Sequence, residues 1–422
     1  MRILIATDAF PPRCGGSGWS TFELARGLRA RGHAITIVQP RPGGAGAAGT
    51  REYEGFRVEA FASPAPRIPF VRNVFKNEWL WARLADRVRR IAARDRADVI
   101  HAQHVLTAPA AVQAGREAGV PVVCTVRDYW PVCYWATLIY DPEAPTLCPA
   151  CTPAMMTRCV RPRSGAAWPA ALPWIPYMRG NLARRQRRLA GADAVVAVSS
   201  TIARDLAARS AALAGARIEV IPNPVDVRGL QALAAGTAAP MEGPYAVFAG
   251  KLENNKGTAH LLPAVERAAL PWPLVVVGDG AERGRLEADA RRLGRDVRVT
   301  GWLPRDRALA WIAHASLLVF PSHGPESLSR VLLESAALGV PIAAMNTGGT
   351  PDIVVDGVTG LLAAGPAELG DAVARLVADR TLAAGLAARA RAHVEREFDA
   401  PNVVARVEAL YAELVTRRPH HA

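Results

Sequence analysis

Short, wholly apolar runs along this chain alternate with stretches in which apolar residues recur at helical spacing. Arg2-Ile3-Leu4-Ile5-Ala6 reads as a buried first strand. In residues 20–30, Phe22, Leu24, Ala25 and Leu28 fall on one helical side; Gly32-His33 ends that helix, and Ile35-Thr36-Ile37-Val38 follows as a second strand. Further strands are predicted over 98–102, 121–126 and 194–199. A second series starts near Tyr245, with strands over 246–249, 274–278, 297–300, 317–320 and 340–344, a five-strand core. Strands alternating with helices predict α/β units with parallel sheets. Ile221-Pro222-Asn223-Pro224-Val225-Asp226 interrupts the pattern and reads as a hinge, because its prolines stop regular structure. The Gly/Ala-rich stretch 42–50 reads as a mobile loop, and 402–416 as a last helix with Val403, Val407, Leu410 and Leu414 on one side.

Composition narrows the class. The 422 residues suffice for two cores, and 50% hydrophobic with 21% charged residues suits a soluble globular enzyme. The net charge of +13 comes almost entirely from arginine. It reflects either an Ala- and Arg-rich coding bias or a basic surface facing acidic lipid or a phosphorylated substrate. No run of about 18 uncharged apolar residues occurs, so no membrane-spanning helix is expected. The apolar run before Asp8 is too short for a signal peptide, which makes a cytosolic, reducing compartment the default.

The candidate chemistry lies in loops after predicted strands. Gly15, Gly16 and Gly18 follow the first strand, but the dinucleotide pattern G-x-G-x-x-G fails at Thr21 and the second strand ends at Gln39, which disfavours a hydride-transfer cofactor. The loop still offers backbone N–H groups to an anion, or is a plain surface turn. Lys251 and Lys256 in Gly250-Lys251-Leu252-Glu253-Asn254-Asn255-Lys256-Gly257 follow the first strand of the second series, where open parallel sheets bind ligands. In a chain with very few lysines they suit a departing diphosphate. Glu326 and Glu334 stand eight positions apart, the first before a predicted helix and the second inside it. On one helix that spacing is about 80° and roughly 12 Å, which suits a ligand with a sugar at one end and a ribose at the other. Glu334 lies in an apolar run and requires a buried partner, which ribose hydroxyls would supply. The N–H groups of Leu328, Ser329 and Arg330 would face the same ligand.

In order and spacing, the segment 221–226, the Gly250–Gly257 loop, Val277-Gly278-Asp279-Gly280, the Glu326/Glu334 pair and Gly348-Gly349-x-Pro351-Asp352 resemble retaining GT-B glycosyltransferases of family 4. Phe10-Pro11-Pro12, Gly15-Gly16 and Gly32-His33 also match, so the likeness spans nearly the whole chain. The resemblance implies two facing Rossmann-like domains, with a last helix crossing back to the first. The boundaries read as residues 1–224 on the acceptor side, with a Cys- and Arg-rich insertion at about 130–190, then 225–395 for the nucleotide-sugar, then 396–422. It further implies that Gly16 lies near the donor diphosphate, that Lys251 and Lys256 bind it, that Glu326 contacts the donor sugar and Glu334 the ribose, and that no catalytic metal is needed. The implied reaction moves a hexose-type sugar from a nucleoside diphosphate to a hydroxyl of a glycan or lipid-linked glycan, with retention. A sugar-nucleotide epimerase, a phosphorylase and a non-catalytic sugar-binding or membrane scaffold stay open.

The departures from the family pattern are informative. Arg127 in Thr125-Val126-Arg127-Asp128 stands where the family often has histidine; arginine cannot be a base at neutral pH. It is read as a phosphate or hydroxyl ligand beside Asp128, or as that residue's ion-pair partner. Ser329 replaces a frequent glycine. His101 and His104 end a first-series strand and are read as acceptor contacts or proton carriers, or as plain hydrogen-bonded histidines; no acid or cysteine near them in sequence completes a metal set. Cys133, Cys148, Cys151 and Cys159 fall in one insertion and read as a structural zinc set, or else as unpaired thiols or a redox pair. Residues 144–192 hold eight arginines and no acid, with Trp168, Trp174 and Tyr177 among them. That suits a peripheral site on an anionic membrane face, or a solvated basic helix. No motif supports nucleic-acid binding.

Overall fold

The computed structural model describes residues 1–12, 14–68, 71–104, 106–142 and 146–417. The chain divides into two compact units: residues 1–140, 148–224 and 400–422 form the first, and 141–147 with 225–399 the second. Of the sequence-based segments, residues 144–145 at the start of the arginine-rich stretch and 418–422 of the 396–422 segment lie outside the described residues.

The first unit carries β1 (Arg2–Ala6), β2 (Ala34–Pro42), β3 (Gly49–Tyr53), β4 (Phe56–Ser63), β5 (Val99–Ala102), β6 (Val122–Val126), β7 (Ala194–Ala197) and β8 (Ile218–Val220). They form one sheet in the order β8-β7-β6-β5-β1-β2-β4-β3. All pairings are parallel except β3 with β4. β5, β6 and β7 are buried along their whole length, as continuous apolar runs in a covered parallel sheet should be. The helices used below are α1 (Gly16–Ala30), α2 (Leu80–Asp95), α3 (Ala108–Ala118), α4 (Pro153–Ser164) and α5 (Ile175–Ala190).

The β3–β4 hairpin was not legible as strands. It turns at Glu54 and Gly55, both with positive φ. Glu59 in β4 is buried beside Arg57, Arg87 and Arg94, so the strand hides a charge where a core residue is expected. The stretch read as a mobile loop contains the end of β2, a short helical turn at Ala45–Ala47 and the start of β3.

The second unit has β9 (Ala246–Ala249), β10 (Leu274–Val277), β11 (Val297–Gly301), β12 (Leu317–Phe320), β13 (Ile342–Met345) and β14 (Leu361–Ala363). Their order is β11-β10-β9-β12-β13-β14, parallel throughout. The predicted five strands are joined by β14, three residues long and too short to show a period. Helices α6 (Thr258–Arg267), α7 (Arg305–Ala313) and α8 (Arg330–Ala337) belong to this unit.

The final helix, α9 (Ala400–Arg417), belongs to the first unit. Val403, Val404, Val407, Leu410, Tyr411 and Leu414 join the core formed by Ile3, Ile5, Phe22, Leu28 and Ile37. A Cβ on Gly27 of α1 would stand 2.5 Å from Val404, so this glycine lets the two helices close on each other.

Candidate functional site

Each sheet has a point where the strand order reverses, β1/β5 in the first unit and β9/β12 in the second. Ligands of open α/β sheets bind outside the carboxyl ends of the strands at such points. The candidate residues gather there.

In the second unit the loop after β9 makes one tight turn at Asn254–Lys256 and ends at Gly257 with φ +73°. A Cβ on Gly257 would stand 1.9 Å from the Pro321 carbonyl oxygen, so glycine allows the β9 and β12 loops to touch. Gly324 N–H donates to Asn255 O across the same seam, at 2.9 Å. The contact delivers Lys256 Nζ to Glu326 Oε1 at 2.6 Å, and Ser322 Oγ donates to the same oxygen at 2.5 Å. Gly348, with φ +51°, backs the acid: a Cβ there would lie 1.9 Å from Glu326 O, and Gly349 N–H donates to that carbonyl at 2.7 Å. The motif glycines thus hold the loops of the acid and the lysine in backbone contact.

Glu334 lies inside α8, nearly inaccessible. The partner that its apolar surroundings demand comes from the protein itself: Arg305 at the start of α7 donates at 2.7 Å, and Arg330, one turn earlier in α8, lies at 3.3 Å. Sequence reading assigned that need to ribose hydroxyls and missed Arg305, which no periodicity marks. Ser329 caps α8 by position without a side-chain cap bond, so the N–H groups of the first turn point outward from a helix with no acid in that turn. Leu328 is buried beneath it. Lys251, by contrast, is 64% exposed and 3.5 Å from Glu253. Trp302, directly after Gly301 at the end of β11, is 73% exposed, the most exposed large apolar side chain among the described residues.

In the first unit three neighbouring strands each deliver one polar residue two positions past their ends: Asp8 from β1, His104 from β5 and Asp128 from β6. His104 bridges them, with Nδ1 2.9 Å from Asp8 Oδ2 and Nε2 3.1 Å from Asp128 Oδ2. Burial opposes the charged ring, but the two carboxylates outweigh it and push its pKa up to about 10. His104 is therefore an imidazolium donating to both acids. The two acids arrive from other strands, so the local sequence did not show them as partners of His104. Asp128 also accepts from Trp130 N–H at 2.8 Å.

His101 and Arg127 are corrections to the sequence-based site. His101 is wholly buried; its ring bonds Thr125 Oγ1 at 2.7 Å and the Tyr411 hydroxyl of α9. Burial, with the nearby Arg127 charge, pushes its pKa down to about 3, so it stays neutral inside the core and cannot meet an acceptor. Arg127 is also buried, donating to Asn223 Oδ1 at 2.8 Å and Gln103 O at 2.7 Å. It ties the hinge segment to the sheet, while Asp128 turns to His104. Gly16 is the exposed first residue of α1, behind Gly15 at the cap position.

A family profile described as Glycosyltransferase Family 4 matches residues 14–228, and one described as Glycosyl transferases group 1 matches 243–379. The chain belongs to glycosyltransferase family 4. It is 33% identical over 267 residues to D-inositol 3-phosphate glycosyltransferase of Xylanimonas cellulosilytica, covering 58% of this chain and 63% of that relative, less than two thirds of its length. It is 26% identical to the glycogen synthase of Mycobacterium tuberculosis strain H37Rv, over 97% of this chain and 94% of the relative. Anabaena HepE in complex with UDP superposes with a TM-score of 0.66 at 20% identity, over 98% of this chain and all of that one. Sucrose-phosphate synthase of Thermosynechococcus elongatus gives 0.70 at 18%, over 99% and 100%. Two parallel-sheet units and these neighbours make the fold GT-B, and the protein is a transferase of the glycosyltransferase class.

The Cys- and Arg-rich insertion of this family 4 chain differs from the sequence-based expectation. Cys133, Cys148, Cys151 and Cys159 are free thiols that feel one another electrostatically. Yet among the described residues no three cysteine, histidine or acidic side chains are grouped to hold a metal ion. Cys148 Sγ turns to Ala150 O, and Cys159 Sγ accepts from Arg163 at 3.0 Å. Burial pushes Cys151 up to about 11 and Cys159 up to about 12. The zinc expectation finds no fitting site. In α5, Arg184 bonds Glu78, and buried Arg185 bonds Asn77 and the Tyr134 carbonyl. Tyr177 also bonds Glu78, so part of this stretch is tied into the fold, while Arg158, Arg161, Arg179 and Arg187 are exposed. No described helix is long and apolar enough to cross a membrane.

Proposed function

We propose that this enzyme transfers a hexose-type sugar from a nucleoside diphosphate donor to a hydroxyl of a glycan or lipid-linked glycan, with retention. The observation that carries the reading is the clasp in the second unit: Lys256 on Glu326, and Arg330 with Arg305 on Glu334, around the open amino end of α8. A diphosphate engages Lys256, Lys251 and the N–H groups near Ser329; Glu326 accepts from donor-sugar hydroxyls and Glu334 from the ribose. The exposed indole of Trp302 offers the nucleobase a flat apolar face.

In the first unit, Asp8 and Asp128 accept hydrogen bonds from acceptor hydroxyls, and the His104 imidazolium fixes both carboxylates in place. No carboxylate of the second-unit clasp stands free as a nucleophile, since Glu326 and Glu334 both hold cations. We therefore favour front-face displacement. The bond from the anomeric carbon to the diphosphate oxygen breaks, the acceptor oxygen bonds the same face, and the departing diphosphate takes the acceptor proton. Lys256 stabilises the negative charge that develops.

The test is a thermal-shift panel of UDP-, GDP-, ADP- and dTDP-linked sugars, followed by NMR of donor turnover with and without an acceptor. A raised Tm with one donor, and turnover that needs an acceptor, is the expected result. Turnover of the donor alone to an isomeric sugar nucleotide would replace the reading with epimerisation; binding of no donor would end it.

A further inference from the structure

Away from both strand-end sites, the first unit holds a cavity of about 460 Å³ lined by Val112, Gln113, Arg116 and Glu117 of α3 and by Arg184, Arg187 and Arg188 of α5. It lies where the two helices end, at the edge of the sheet opposite the strand ends that carry Asp8, His104 and Asp128. Four guanidiniums line this one cavity, whereas other clusters of arginines in the chain share nearby acids. Arg89 and Arg90 share Asp86, Arg283 has Asp279 and Glu287, and Arg217 has Glu219 and Glu413.

Inside the cavity the pairing is incomplete. Arg184 is held by Glu78, and Arg188 donates to Gln113 Oε1 at 2.6 Å, a neutral partner. Glu117 accepts from Gln113 Nε2 at 3.0 Å, and its nearest guanidinium is that of Arg89, outside the cavity, at 3.8 Å. Arg116 and Arg187 have no ion-pair partner among the described residues, and Arg187 is exposed. Two helix carboxyl ends attract cations with about half a charge each. Set together with Glu78 and Glu117 against four guanidiniums, they still leave about one positive charge uncompensated.

The backbone makes room for this arrangement. Gly191, which follows α5, has φ −85°, a conformation open to any residue. A Cβ there would stand 3.3 Å from Arg116 Nη2, Arg188 O and Val112 Cγ1. The glycine therefore provides space rather than an unusual turn: it lets the Arg116 guanidinium lie over the chain beside Arg188.

We propose that this cavity is a second, non-catalytic binding site for a phosphate-bearing anion, engaged by Arg116 and Arg187 with Arg188 behind them. Forked guanidinium N–H groups match phosphate oxygens geometrically. The ligand is either a soluble phosphate or the headgroup of an anionic lipid, and two arms of one experiment distinguish them.

Pyrophosphate is titrated calorimetrically onto the Lys256→Ala chain, so that the contribution of the donor site is weakened and is the same in every variant compared. In parallel, the same chain is floated with vesicles of phosphatidylcholine alone and with added phosphatidylglycerol. Binding in either arm should weaken at least about tenfold in the Arg116→Glu, Arg187→Glu double variant. It should persist in Arg179→Glu, which removes an exposed charge of α5 outside the cavity. If the double variant unfolds, the single Arg116→Gln change carries the test. No binding in either arm overturns the proposal, and so does an equal loss in Arg179→Glu, which would mean diffuse charge rather than a site. Donor binding by the native chain is scored separately, so failure here leaves the proposed reaction untouched.

Discussion

The two strand-end sites are charge inversions of each other. In the second unit buried or half-buried acids are each clasped by cations; in the first unit one cation is clasped by two acids. The difference sets what each edge can receive. Around Glu326 and Glu334 the bases outnumber the acids, so an anion can draw on Lys256 and the arginines while the carboxylates keep accepting from hydroxyls. Around His104 the acids outnumber the base, so the site offers acceptors to neutral hydroxyl groups and repels phosphate.

The strongest way to break this comparison is to unbalance the second-unit clasp. Glu334→Ala leaves Arg305 and the nearly buried Arg330 without their acid, which should cost about 3–5 kcal/mol of stability for so enclosed a pair. Donor turnover should fall at least tenfold, about 1.4 kcal/mol. Urea unfolding and steady-state rates measure the two effects, and a wild-type value in both rejects the assignment. Gly348→Ala should cost about 1–3 kcal/mol, since a Cβ would overlap Glu326 O from a left-handed backbone, and donor affinity should fall with it. Lys256→Ala removes a surface-accessible cation, so the fold should hold while turnover drops at least tenfold, about 1.4 kcal/mol.

The histidines sharpen the first-unit side through pH. His104, raised to about 10, gives stability that is complete below its ordinary value near 6.5 and is lost as pH rises toward 10. His101, lowered to about 3, gives stability that is complete above 6.5 and is lost as pH falls toward 3. The combined contribution of these two histidines is therefore largest near pH 6.5 and falls on either side, with limiting slopes of about 1.4 kcal/mol per pH unit. His104→Gln should flatten the alkaline limb of a pH series of Tm values, and His101→Gln the acid limb. The smallest effect belongs to Lys251→Ala. Its ammonium is exposed, so the loss in donor affinity should be a few-fold at most and should vanish at high salt.

Much of the fold could be read from the chain because its central strands are continuous apolar runs between punctuating glycines. β3, β4 and β14 were not, since one carries a buried acid and the others are polar or very short. The acids and the lysine of the clasp proposed to hold the donor could be singled out because Lys256, Glu326 and Glu334 sit in local motifs. Their internal partner Arg305 could not, as only tertiary folding brings α7 to α8. The same reason hid Asp8, although one regularity would have found it: Asp8, His104 and Asp128 each stand two residues past an apolar strand. His101 misled because a histidine on a strand and one beyond it look alike in sequence, whereas the sheet buries the first and presents the second.

Helix α9 supplies six core residues to the first unit and a hydroxyl to His101, yet it is translated after the whole of residues 225–399. The ribosome therefore releases the continuous body of the second unit, residues 225–399, before the first unit can close its own core. The usual order, in which amino-terminal parts fold first, is reversed for completion here. Nascent chains arrested before residue 400 should expose the groove that α9 fills and bind chaperones, and they should become protease-resistant only once α9 has emerged.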